Sequence, residues 1–298
     1  MKTRIITLIA TLAVAWALPA GAQALPHTFV SVTGSDANDC SRPTPCRTFA
    51  RGVQQVDTRG EVIALDSGVF GRFTANKSLT VMAAPGVFAG VVSGINQTAI
   101  TVTATAGDTV VLRGLTVRGP FNIPPFNSGI SSGLGASLHI EDCSISGFSI
   151  GIAFPGIGST PLFVKDTTIR ACGSGVQTVA TSASFDNCRL EANGTGWLVG
   201  AGSKATIRRS VATANGQALT AGGSGTELNI DDCTVSNNTE GISSGGAGTI
   251  VRVANTTVTG NSVGLSSLFG ALLSRAPATN TVDGNTTNGA FTGTYTAK

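Results

Sequence analysis

Histidine, aromatic side chains and charge are all scarce in this 298-residue chain. The two histidines, His27 and His139, have no partner at ligand spacing, so no zinc site and no resident metal are expected. Lys and Arg number 19 against 16 Asp and Glu, with no basic cluster, which argues against a nucleic-acid partner because such binding neutralises several phosphates at once. Charged residues are only 12% of the chain while glycine contributes 39, a composition of short strands and tight turns rather than of helices. Long apolar runs are also missing outside the first 24 residues. There a basic start (Lys2, Arg4), an apolar run from Ile5 to Leu18 and the ending Ala22, Gln23, Ala24 read as a secretory leader cleaved before Leu25. That run is shorter than the ~20 residues needed to span a bilayer, so an exported protein, secreted or periplasmic, with no membrane span is expected. Loss of Lys2 and Arg4 leaves 17 basic residues against 16 acidic, a net charge of +1.

What the chain does have is a repeat. Leu138, Leu162, Ala183, Ala205, Leu228 and Val251 each open a unit of the same internal length, as in LHIEDCSISGFSIGI and LNIDDCTVSNNTEGI, with starts 24, 21, 22, 23 and 23 residues apart. Apolar residues alternate at the head of each unit (Leu138 and Ile140, Leu228 and Ile230), the period of a strand with one buried face. A polar corner follows at Asp142, Asp166, Asn187, Arg209, Asp232 and Asn255, where Asn and Asp suit a left-handed backbone. Then come a small inward residue, an apolar residue and a second turn ending in Gly or Ala218. Three short strands per unit of about 23 residues specify an all-β parallel β-helix, whose stacked coils share one core. Propeller blades need about 40 residues per repeat, and the leucine spacing of leucine-rich repeats is absent.

These units resemble the right-handed parallel β-helix proteins of the pectin-lyase-like type. Looser coils precede them at Gly60–Gly68, Lys77–Ala83 and Ala99–Val117, and the opening SVTGSDANDCSRPTPCRTFARGVQQV is similar to the start of exported bacterial members. There an extended strand and a short amphipathic helix, here about Thr48 to Val56, cap the first coil. The resulting division is a leader over 1–24, an N-terminal strand and capping helix over 25–60, a solenoid over 61–275, and a last coil and tail over 276–298.

The repeat sorts the remaining residues. Cys143, Cys188 and Cys233 share one inward column in alternate coils, ~9–10 Å apart by strand spacing, too far to bridge. Cys172 belongs to another column, so Cys40–Cys46 is the expected disulfide and four thiols remain free. Glu141, Lys165, Asp186, Arg208 and Asp231 alternate in sign and form an expected charge ladder. Asn193, Asn215, Asn238 and Asn261 form a second column, in line with Cys172 and Phe148, where stacked amides bond each other and turn backbone. Asp36, Asn38 and Asp39 offer the oxygens Ca²⁺ takes, but no further carboxylate follows at a recognised spacing, and an Asx-stabilised turn is expected instead.

The resemblance places a substrate groove along the strand after the second turn. Its outward residues are Thr101, Ser131, Ala153, Gln177, Leu198, Thr220, Ser243 and Ser266, none of which ionises near neutral pH. Glycoside hydrolysis usually takes two flanking carboxyl groups, and a lyase takes a base. Polygalacturonases of this kind carry Asn-Thr-Asp, Asp-Asp and Gly-His-Gly motifs, whereas this chain has Asp231 and Asp232 but no histidine beyond position 139. The arginine and acidic cluster of pectate lyases is imitated only by Arg208 and Arg209 with Asp186, Asp231 and Asp232, at a corner away from the groove. An insertion, GPFNIPPFNSG, lengthens one turn and either overhangs the groove with Phe121 and Phe126 or covers core. The favoured reading is thus a monomeric, non-catalytic protein, without cofactor, that docks an extended polysaccharide or envelope glycan through Phe121, Phe126, Gln177, Thr220 and Ser243. A lyase or hydrolase built from Asp66, Arg72, Lys77, Asp108 or Arg113 is the alternative, and an adhesin-like surface spacer is a third.

Overall fold

The computed structural model describes residues 25–120, 127–133, 135–156 and 160–296. The proposed leader and the side chains of Phe121 and Phe126 lie outside them. Within them the chain winds into three parallel sheets around one core: sheet A with 12 strands, sheet B with 10 and sheet C with 9. One coil runs through Ser137–Glu141 in sheet A, Ser144–Ser146 in sheet B and Ile150–Pro155 in sheet C, and the next begins at Pro161–Lys165 in sheet A. The repeat alignment is the observed register, since Leu138, Leu162, Ala183, Ala205, Leu228 and Val251 pair in succession across sheet A. A 23-residue unit cannot bury its apolar alternation alone, and stacking turns it into continuous inward columns such as Ile140, Val164, Phe185, Ile207 and Ile230. Trp197 is wholly buried, 4.2 Å from the Phe185 ring, with its indole N–H donating to Thr178 Oγ1 at 3.1 Å.

Two turn columns set the coil length. At the first, Asp142, Asp166, Asn187, Arg209, Asp232 and Asn255 all take left-handed backbone, φ between 47° and 53°. The second is left-handed too, at Gly147, Ala171, Ala192, Ala214, Asn237 and Gly260, which the alanines conceal in the sequence. The next residue in each coil turns inward: Phe148, then Cys172, and from Asn193 onward the asparagine ladder. Asn193, Asn215, Asn238 and Asn261 each donate Nδ2 to the following Oδ1 at 2.8–3.0 Å, and the same oxygen accepts the preceding coil's backbone N–H. Asn285 extends the ladder by one rung. Glycine closes this turn because a Cβ at Gly175 would sit 2.6 Å from the Gly196 carbonyl oxygen of the next coil.

The inward column after the first corner alternates thiol and hydroxyl. Thr167, Ser210 and Thr256 accept the backbone N–H of Cys143, Cys188 and Cys233, at 3.3, 3.0 and 3.3 Å. Those three cysteines and Cys172 are free and buried, while Cys40 and Cys46 are disulfide-bonded. Burial pushes the thiols of Cys143 and Cys233 up to about 12 and that of Cys188 up to about 11.

The N-terminal end is capped, as an open solenoid end would expose sheet edges. Helix α1, Phe49–Gln55, is capped by Thr48, whose side chain accepts from Arg51 N, and inserts Phe49 against Phe70 and Phe73 at 5.1 and 5.5 Å. At the far end Thr281–Val282 joins sheet B and Gly293–Tyr295 joins sheet A.

Candidate functional site

The three outer faces differ in what their side chains have left to offer. On sheet A most charges are spent on one another. Arg113 meets Glu141 at 2.8 Å, Arg252 meets Glu227 at 2.8 Å, Lys204 also meets Glu227, and Arg208 and Arg209 both reach Asp186. The charge ladder differs from its expected form at Lys165, which pairs with the adjacent Asp166 at 3.6 Å rather than with Glu141 or Asp186. Its long flexible stem reaches the corner carboxylate, and exposed pairs of this kind contribute only about 0–1 kcal/mol, too little to enforce strict alternation. Asp231 accepts from Asn255 Nδ2 at 2.8 Å. Sheet A also holds an aromatic contact that the sequence did not announce. The His139 and Phe163 rings stack 4.6 Å apart, and burial holds His139 below its usual basicity against the opposing pull of Glu141.

Sheet C is the opposite case. Its nine strands contain one ionisable residue, Glu240, which accepts from Gln217 Nε2 at 2.8 Å. The expected groove residues Thr101, Ser131, Ala153, Gln177, Leu198, Thr220, Ser243 and Ser266 form one unbroken outward column in register, and Thr74 extends it by one coil. Gln177 is half-buried and donates to Ser174 Oγ at 3.0 Å; Thr220 is half-buried and accepts from Ser243 Oγ at 3.1 Å. Ser243 is only 9% exposed, so its neighbours in the column offer more surface than it does. Small side chains one strand spacing apart cover each other, which the sequence pattern does not reveal.

At its N-terminal end this column runs into a concavity of about 600 Å³ beneath α1. The helix supplies Arg51 and Gln54, the turn before the first sheet C strand supplies Arg72, and Thr74, Asn76, Thr98 and Thr101 form the floor and rim. Asp36 borders it, but that carboxylate is engaged by Arg47 N, Thr48 N and Thr48 Oγ1 at 2.8–2.9 Å, tying the loop to the helix start. Arg51 Nη1 donates to Gln54 Oε1 at 2.8 Å. Sequence reasoning marked Arg72 but not Arg51, Gln54, Asn76 or Thr98. The amphipathic helix was readable, whereas its lean over sheet C is set by where Phe49 inserts.

The other ionisable candidates stand apart. Asp66 accepts from Ser31 Oγ and Val32 N at 2.6 and 2.9 Å, pinning the first strand. Asp108 binds Ser78 and Thr105, hydrogen bonds that hold its carboxyl below the usual range. Lys77 reaches the Val56 carbonyl and Arg113 pairs with Glu141. Each therefore closes a local turn or ladder, and only Arg72 lies at the sheet C groove. In the Asp36–Asp39 loop, Asp39 accepts from Ser41 N at 3.0 Å and Thr44 Oγ1 at 2.5 Å. Among the described residues no three His, Cys, Asp or Glu side chains gather as a metal site. No helix among them is long and apolar enough to cross a membrane.

With this geometry in hand, the solved structures similar to the chain are informative about fold. A pectate lyase, Pel9A, matches 81% of the chain and 76% of its own length at 15% identity and a TM-score of 0.52. XylC, solved in complex with xylose, matches 81% and 69% at 10% identity and a TM-score of 0.59. The enzymatically active domain of bacteriophage CBA120 tailspike protein 2 matches 84% of the chain but 43% of its own length, at 14% identity and a TM-score of 0.54. At such identities the likeness shows architecture alone. No curated protein matches the chain in sequence. The family model described as right handed beta helix region matches residues 91–263, more than half the chain, and the protein belongs to that family of right-handed parallel β-helix, pectin-lyase-like proteins.

Proposed function

We propose that this is an exported protein that holds an extended polysaccharide along sheet C without cleaving it. The observation that carries the reading is the column from Thr74 to Ser266, nine in-register positions that include seven hydroxyl or amide side chains and no charge. A linear array of small polar groups matches a linear ligand with repeated hydroxyls, and weak contacts repeated along one chain add up through effective concentration. The non-catalytic reading is supported by the chemistry of the face. Hydrolysis uses two carboxyl groups about 5–10 Å apart, and the strands of sheet C provide only Glu240. Export is supported by the leader-like first 24 residues and by the Cys40–Cys46 disulfide, a bond that persists in oxidising compartments.

A catalytic reading has one observation in its favour, the arginine-lined concavity at the head of the column, since a lyase needs a base close to the substrate. Incubation of the purified protein with acidic and neutral polysaccharides, with and without Ca²⁺, separates the readings. Retention on insoluble glycan with no unsaturated-uronate absorbance and no new reducing ends is the expected result. Product formation would overturn the non-catalytic reading, and absence of both products and retention would favour the surface-spacer reading.

A further inference from the structure

The concavity under α1 contains an uncompensated positive charge. Arg72 is exposed and, among the described residues, makes no hydrogen bond or ion pair. Arg51, across the same concavity, is held by Gln54 and, among the described residues, has no acidic partner within 4 Å. The bordering carboxylate of Asp36 already accepts three hydrogen bonds from Arg47 and Thr48. Two guanidinium groups therefore face one committed carboxylate, whereas Arg113, Arg189, Arg208 and Arg252 on the strand faces each meet an acidic partner. Asn76, Thr98 and Thr101 add neutral donors and acceptors around the same space, which is large enough for a sugar ring. It opens directly onto Thr74 and Thr101, the first two positions of the sheet C column.

We infer that this concavity is an anion subsite, taking the carboxylate or sulfate of an acidic saccharide whose remaining units run along sheet C toward Ser266. The inference rests on the glycan-docking reading of that sheet and adds a substrate class and a direction to it. Guanidinium groups bind carboxylate and sulfate oxygens through paired N–H donors, so Arg72 is the residue free to close on the ligand while Arg51 supplies a fixed charge behind it. A neutral glycan gains nothing there and relies on the column alone.

The test compares three oligosaccharides of equal length by titration calorimetry: a uronate oligomer, an O-sulfated neutral oligomer and the unmodified neutral oligomer. The wild-type protein is expected to bind at least one anionic oligomer about tenfold more tightly than the neutral one, and whichever anion is preferred identifies the source of the charge. Arg72→Gln is expected to erase that preference while leaving the neutral oligomer's affinity within twofold, and Arg72→Lys to keep part of it. Arg170→Gln makes the same charge change on the exposed face of sheet B and is expected to leave the preference intact. Equal wild-type affinity for charged and neutral oligomers would overturn the subsite while leaving the docking face standing. So would an equal loss in Arg170→Gln, since the preference would then come from overall charge. If the wild-type protein binds none of the three, the docking reading itself fails, and the subsite with it.

Discussion

Replacing Asn215 by alanine removes the middle rung of the asparagine ladder, and the structure fixes what is lost. The side chain is 3% exposed, and its Oδ1 accepts from both Asn193 N and Asn193 Nδ2 at 3.0 Å. Its Nδ2 donates to Leu190 O, Thr213 O and Asn238 Oδ1 at 2.9–3.1 Å. After the substitution, Asn193 Nδ2 keeps Ile169 O and Asn238 Oδ1 keeps the Asn215 backbone N–H. The backbone N–H of Asn193 is left buried with no acceptor, at a cost of about 1–3 kcal/mol, and the lost Nδ2 bonds add about 1 kcal/mol. A total near 2–4 kcal/mol corresponds to a melting point lowered by roughly 5–10 °C for a chain of this size. Equilibrium urea unfolding followed by circular dichroism measures the first quantity and scanning calorimetry the second. Hydrogen exchange at the Asn193 amide should accelerate specifically. The surface substitution Thr234→Ala, as control at an exposed position, should cost less than about 0.5 kcal/mol. A loss below about 1 kcal/mol for Asn215→Ala would refute the view that the ladder stabilises the turn.

Three other outcomes follow from the same packing. Iodoacetamide at pH 8 should label none of Cys143, Cys172, Cys188 and Cys233 in the folded protein and all four after denaturation, because burial raises every one of these thiols; mass spectrometry reads the count, and labelling of the native protein would contradict it. Ala192 has φ of 53°, a conformation costing about 1–2 kcal/mol for an L-residue, so Ala192→Gly should raise unfolding stability by about 0.5–1 kcal/mol after glycine's entropy is charged. His139 is held below the usual histidine value of 6.5 by burial, so the unfolded chain binds the proton more readily. Its contribution to stability is therefore present above pH 6.5 and falls as the pH drops through the lowered folded value, and His139→Gln should flatten the stability profile below that pH.

Legibility in the sequence tracked how directly each feature depends on the repeat. Register, inward columns, corners and the free cysteines were readable because stacking converts spacing into position: Leu138, Leu162 and Ala183 have the same offset and so the same neighbours. The sheet C column was readable for the same reason. Two kinds of feature were not. The left-handed turns at Ala171, Ala192 and Ala214 carry no residue signature, since alanine adopts that conformation only when the rest of the coil compels it. Contacts made by non-repeating elements were also hidden: Arg51 reaches the concavity only because Phe49 anchors α1 against Phe70 and Phe73. The Lys165 pairing shows the limit in between, where register fixes the backbone but not the end of a flexible side chain.

The central claim is that sheet C, and neither of the other faces, receives the glycan. Single cysteines placed at Gln177 on sheet C, Thr206 on sheet A and Thr234 on sheet B can each carry a bulky maleimide adduct, because the native thiols are buried. The measurement is retention on a polysaccharide that holds the wild-type protein, before and after modification. The account predicts that only the adduct at position 177 abolishes retention. Undiminished retention by that adduct, or loss caused by the adduct at 206 or 234 instead, would contradict it.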